Sequence, residues 1–300
     1  MAVMSGGAKR RGARRIACQW RASALLGETP VWQEDLGCLA FIDAPRGDVL
    51  RFWPGTGRRE RTHVAPELGF LARGPGGRLF CGTGLDVAGL SSIGEIESES
   101  MTVPGDPARL RLNDAHVDLH GDIWTGTMDR SGLEAFGGLF RIRSGGACEQ
   151  FDDGFTIPNG FAFGHGGREL YVADSPRGVI FRYDVGTEGQ PGPRRDWLRI
   201  DCGDGFPDGM TIDSDNHLWI ALYGGGCLRR YRPDATLEQE LHVPTRNVTS
   251  CAFGGADLDV LYVTTAAMEG PRTWRALLSH HYGGALFSCR TSVPGITGLR

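Results

Sequence analysis

The chain lacks the short patterns that announce several common enzyme classes. It has no HExxH, no GxSxG and no GxGxxG, so a helix-borne zinc protease site, a serine nucleophile elbow and a dinucleotide fold are without support. Its eight cysteines form no CxxC pair, and most fall inside apolar runs such as GCLAF, RLFCG and TSCAF. That placement suits small buried thiols in a reducing compartment, and a cytoplasmic location is expected. No apolar run approaches the roughly 20 residues of a membrane span. The formal net charge is only −4 over 300 residues, which speaks against nucleic acid as the main partner. The expected partner is a small molecule, with neither membrane nor nucleic acid involved, and the chain is expected to be a monomer or a weak homo-oligomer.

Glycine is abundant, with 46 residues that fall at turns, and 40% of the chain is hydrophobic. One unit recurs: a head residue, a short strand, a Gly- or Asp-rich turn and a second apolar strand. Its clearest copy is FPDGMTIDSDNHLWIALYGGG (206–226). There the Pro-Asp-Gly around Asp208 predicts a tight corner, followed by strands at Met210–Asp213 and Leu218–Leu222. Further copies open at Glu28, Leu71, Asn113, Asn159 and Ser250, at intervals of 43, 42, 46, 49 and 42 residues. A strand–turn–strand period of about 40–50 residues is the signature of propeller blades. The fold class predicted is therefore all-β, a six-bladed β-propeller spanning residues 16–300.

Ile16–Leu26 has no place in the first repeat, and the last repeat is short of a strand. The N-terminal stretch is therefore predicted to pair beside GGALFSCR (283–290) and close the ring. Residues 1–15 carry five basic groups and no acid, as in a disordered tail, with a transit peptide or nucleic-acid tether as the sharper alternative. The polar SSIGEIESESM (91–101) reads as an outer hairpin, 187–196 as a surface loop, and 268–281 as holding a short helical turn.

The inner strand of each blade lines the central channel. Glu28, Asn113, Asn159, Asp208 and Ser250 are thus expected to converge at one mouth. Asn and Asp at strand starts also cap turns, but the shared register of polar heads points to a common site. Two carboxylates and two amides on one axis repel and desolvate one another unless a cation sits between them. An all-oxygen donor set suits Ca²⁺, Mg²⁺ or Mn²⁺, with Zn²⁺ also possible. His116 and His120 read as surface or turn residues, Asp213–Asp215 as a solvated turn, and Trp32, Trp124 and Trp219 as core.

Five motifs in order carry a resemblance: LGETPVW around Glu28, RLNDAHVD…WTGTMD around Asn113, IPNGFAF around Asn159, GFPDGM…LWIALYGGG around Asp208, and VTSCAFGGADLDVLYVTTA at 248–266. Over residues 25–290 the chain resembles the SMP-30/gluconolactonase/regucalcin family of six-bladed propeller lactonases. The resemblance implies metal-dependent hydrolysis of a sugar-acid lactone to its aldonic acid. It implies that Glu28, Asn159 and Asp208 hold one divalent cation (Ca, Zn, Mn, Mg or Fe); in such a site the attacking water is expected to be activated by the metal or by Asp208 as the catalytic general base. It further implies that Arg111 and Asn113 bind substrate, with Asp129 as the acidic substrate contact. The chain departs from the family pattern at Thr29 (GETP for GEGP), at Ala115 (NDA for NDG) and in the run Asp129-Arg130-Ser131. An organophosphate or aryl-ester hydrolase on the same scaffold, and a non-enzymatic calcium-binding propeller, are the alternatives.

Overall fold

The computed structural model describes residues 16–91, 94–268 and 282–296. The expected tail at 1–15 and most of the expected helical turn at 268–281 lie outside these. Among the described residues, 24 strands form six four-stranded antiparallel sheets, and no helix is long and apolar enough to cross a membrane. Each of the first five sheets is four consecutive strands in order. The sixth takes its outermost strand, Ala17–Trp20, from the N-terminus, in antiparallel register with Leu286–Arg290 (Ala17↔Ser288, Cys18↔Phe287). The ring is thus a closed six-bladed propeller, as the repeat predicted, and the N-terminal strand completes the fourth strand of blade 6.

The inner strands are Gly27–Gln33, Phe70–Arg73, Leu110–Val117, Pro158–Gly164, Phe206–Ile212 and Val248–Gly254. Asp208 does not stand on a corner before its strand, as its Pro-Asp-Gly context predicted. It lies within the strand, where the pairing slips between Pro207 and Met210. The same slip follows Glu28, brackets Asn113, follows Asn159 and precedes Ser250. A bulge inserts a residue and re-aims the side chains beside it, so one irregularity repeated around the ring turns the polar heads. The segment 91–101 is not a separate hairpin either; Ile96–Thr102 is the outer strand of blade 2.

Apolar side chains fill the spaces between blades, where Trp32, Phe41, Trp219 and Phe253 share one cluster. Trp32, Trp124 and Trp219 are all buried core residues. Two of them close a repeated clasp. Asp118 Oδ2 accepts from the Trp124 indole at 2.8 Å, and Asp213 Oδ2 accepts from Trp219 at 2.9 Å, while the other oxygen of each acid accepts two backbone N–H groups of its own turn. Asp213 also accepts from Arg230 Nε at 2.7 Å and is fully buried, so of the expected solvated turn Asp213–Asp215 only Ser214 and Asp215 are exposed. Asp213, Asp215 and His217 lie close enough to share an ion, but Arg230 already supplies the positive charge there. All eight cysteines are free thiols, five of them buried.

Removing the Asp213 carboxylate leaves the Arg230 Nε–H, the Trp219 indole N–H and two turn amides without their acceptor, although Asp215 and Glu238 still pair the guanidinium. Asp213→Ala is expected to lower the unfolding free energy by about 2–4 kcal/mol, read by urea denaturation. A loss under about 1 kcal/mol would mean that the clasp is only a surface-like pair.

Candidate active site

A cavity of about 500 Å³ opens at one mouth of the channel, and Glu28, Arg111, Asn113, Asn159 and Asp208 all line it. These five residues come from blades 1, 3, 4 and 5; the shared register predicted four of them, and Arg111 was implied by the resemblance alone. Ser250 and Leu71 do not reach this cavity; they line the narrower channel beneath it, together with His116. His116 therefore stands on an inner strand rather than in a turn, against the Phe163 ring at 5.6 Å. Asp129 is not among the lining residues. It ends its strand buried, where the backbone N–H and hydroxyl of Ser131 hold its carboxylate. Its neighbours Met128, Arg130, Ser131 and Gly132 face the cavity instead. Arg130 spans the rim to Glu67 at 2.9 Å.

A third carboxylate was missed. Asp114 lines both the cavity and the channel below. Its Oδ1 accepts from Ala115 N–H at 2.7 Å and its Oδ2 from Gly160 N–H at 2.6 Å. The signal was present in the NDA head, where the acid directly follows Asn113, but adjacent strand residues normally face opposite sides. Only the bulge between Leu112 and Ala115 lets both serve one site.

The electrostatics follow from this crowding. Burial raises the Glu28 carboxyl well above its usual range, and Asp208 and Asp114 push it further. Asp208 is raised by burial and then by Asp114. Burial lifts Asp114 to about 6 despite its two N–H donors. Burial also lowers Arg111, against the opposing pull of Glu67 and Glu28. Asp208 Oδ1 is buried and has no hydrogen-bond partner among the described residues. A buried carboxylate oxygen left bare, in a cavity also lined by Glu28, Asp114 and Asn159, is what a divalent cation would satisfy. The donors of this chain therefore fit such an ion.

The backbone is specialised at the same places. Gly160, directly after Asn159, has φ +60°, and a Cβ there would collide with the Asp208 carbonyl. Thr29, directly after Glu28, sits at φ +42°, a region that penalises β-branched residues. Its hydroxyl accepts the Leu71 N–H at 2.9 Å, an anchor to blade 2 that glycine could not provide. Thr29 therefore exchanges backbone ease for a bond between blades.

Fold and site together define a six-bladed propeller with one carboxylate-lined axial cavity suited to a divalent cation. The family profile described as SMP-30/Gluconolactonase/LRE-like region matches residues 26–267, and the chain belongs to that family. It is 34% identical to the pentonolactonase XacC of Haloferax volcanii over 261 residues, covering 83% of this chain and 84% of that one. It is 30% identical to the 6-deoxy-6-sulfogluconolactonase of Pseudomonas putida over 285 residues, covering 93% and 96%. Among solved structures, the calcium-binding protein regucalcin from Agrobacterium tumefaciens superposes with a TM-score of 0.87 at 21% identity, over 95% of this chain and 96% of that one. That last likeness shows the fold.

A carboxyl with a higher pKa in the folded than in the unfolded chain binds its proton more tightly when native, so ionising it lowers stability. For Asp114, between 3.8 and about 6, this amounts to about 3 kcal/mol lost as pH rises through that window. Glu28 and Asp208 act in the same direction. In chelator-treated protein, Asp208→Asn is therefore expected to lose less stability than wild type between pH 5 and 7.5, and to be the more stable of the two at pH 7.5. Parallel curves for the two proteins would show that the carboxyls do not repel.

Proposed function

We propose that the protein hydrolyses a sugar-acid lactone, a five- or six-carbon aldonolactone, to the open aldonic acid, using one divalent cation held by Glu28, Asn159 and Asp208. The observation that carries this reading is the unpartnered, buried Asp208 Oδ1 at the meeting of three carboxyl groups on the cavity floor. The names of the two lactonase relatives support the substrate class. Oxygen donors alone suit Ca²⁺, Mg²⁺ or Mn²⁺, with Fe²⁺ and Zn²⁺ as further candidates.

When bound, the cation would polarise the lactone carbonyl as a Lewis acid and offset the converging carboxylates. Asp208 takes the proton from a water as the water oxygen adds to the carbonyl carbon. The same proton then passes to the ring oxygen as the bond from that oxygen to the acyl carbon breaks, giving a hydroxy acid from lactone and water. Both Nη1 hydrogens of Arg111 are committed, to Leu112 O at 2.9 Å and to Asn113 Oδ1 at 3.2 Å. Its Nη2 and Nε are the donors left to orient substrate hydroxyls, and a planar fork suits paired oxygens. Asn113 gives both amide hydrogens to Pro158 O and Asn159 Oδ1, so toward a substrate it can only accept, through Oδ1. With Asp129 outside the cavity, Arg130 and Ser131 are the neighbouring side chains placed to meet the far end of a lactone.

A pH-stat panel of five- and six-carbon lactones, with aryl and phosphate esters alongside, tests the reading. Lactone turnover should vanish with chelator and return with added cation, and Asp208→Ala should lower kcat/KM by about 10²–10⁴-fold. Chelator-resistant turnover, or undiminished activity in Asp208→Ala, would remove the assignment, and turnover of the esters alone would move the substrate class.

A further inference from the structure

We infer that Ser175 is a positioning residue that fixes which end of the Asn159 amide faces the cation site. The inference rests on the proposed function, in which Asn159 is a cation ligand. Ser175 is buried, lines the cavity and opens the 3₁₀ turn Ser175–Arg177 of blade 4.

Five groups form one directional relay across blades 3, 4 and 5. Arg111 Nη1 donates to Asn113 Oδ1, Asn113 Nδ2 to Asn159 Oδ1 at 2.8 Å, Asn159 Nδ2 to Ser175 Oγ at 2.9 Å, and the Ser175 hydroxyl to Pro207 O at 2.6 Å. A guanidinium can only donate and a backbone carbonyl can only accept. The two ends therefore set the direction of every bond between them. Ser175 has one hydroxyl proton, and the Pro207 carbonyl takes it, so toward Asn159 the hydroxyl can only accept. Asn159 must then turn its NH₂ toward Ser175 and its oxygen away. An amide binds a cation only through oxygen, so an inverted Asn159 would present hydrogens to the ion.

The fold supplies an internal comparison. Blade 1 carries the same turn, Ala44–Arg46, preceded by an acid and closed by a left-handed glycine as in blade 4. In each, the acid (Asp43 or Asp174) accepts two backbone N–H groups just ahead of its own inner strand. Ala44 and Ser175 hold the same position in these turns, and both face the cavity. The inner-strand head in blade 1 is Glu28, whose two carboxylate oxygens are equivalent and need no orientation. Of these two turns, the hydroxyl stands in the one whose head is an amide.

The test is calorimetric titration of chelator-stripped, full-length protein with Mn²⁺. Ser175→Ala is expected to raise the Mn²⁺ Kd by about 10–100-fold. In an Asn159→Asp background, where both head oxygens are alike, the same change should leave Kd nearly unaltered. A merely structural serine would cost affinity equally in both backgrounds, and that result, or no loss in either, overturns the inference. Asp208→Asn separates the two levels. If it abolishes Mn²⁺ binding while Ser175→Ala does not weaken it, only the role of Ser175 falls. If Asp208→Asn binds Mn²⁺ like wild type, the cation site itself falls, and the inference with it.

Discussion

Three carboxyl groups, Glu28, Asp114 and Asp208, are forced together at the axis of a closed ring, and their mutual repulsion is the constraint on which the rest of the structure depends. Nothing local favours this arrangement. Burial and like charge both disfavour it, and the ring must hold it in place. The apolar packing between blades and the strand that closes blade 6 provide the restraint, since no blade can tilt outward without opening its neighbours. Stability built at the periphery is opposed at the hub, which is consistent with the cation we propose there.

The bulges connect sequence to site. A regular strand would send Asn113 and Asp114 to opposite faces, and would point the residues beside Asn159 and Asp208 away from the axis. Repeated pairing slips let the heads enter one cavity, and Gly160 and Thr29 bear the backbone cost next to two of them. The polar relay from Arg111 to Pro207 then orders the amides, so that blades 3, 4 and 5 present one set of oxygens rather than a mixture of oxygens and hydrogens. Asp213 serves a different end. It is as buried as any acid in the chain, yet Arg230 and two turn amides satisfy it. An acid with its own cation in the chain is structural, whereas Asp208 keeps a bare buried oxygen, which is why we propose it for the chemistry.

Much of this could be read without coordinates. Strand alternation, glycine turns and the 42–49-residue interval are local or periodic features, and six blades with a borrowed closing strand follow from them. Glu28, Arg111, Asn113, Asn159 and Asp208 were legible because each stands at the same phase of the repeat or within its motif. Their partners were not. Asp114 was hidden because its neighbour already filled the head position. Asp129 falls outside the cavity because it ends its strand with its carboxylate held by Ser131, while Arg130 and Ser131 line the cavity. Ser250 shares the phase but lines the channel below.

By itself, then, the sequence determined the number of blades, the closure of the ring and the angular order of the polar heads, because hydrophobic period and turn chemistry are written residue by residue. Tertiary structure alone decided how deep each head sits, which acids meet and which are neutralised, and which way each amide turns. Those depend on bulges, on contacts between blades and on hydrogen bonds that join residues 46, 16 and 32 positions apart, separations at which no local pattern carries information.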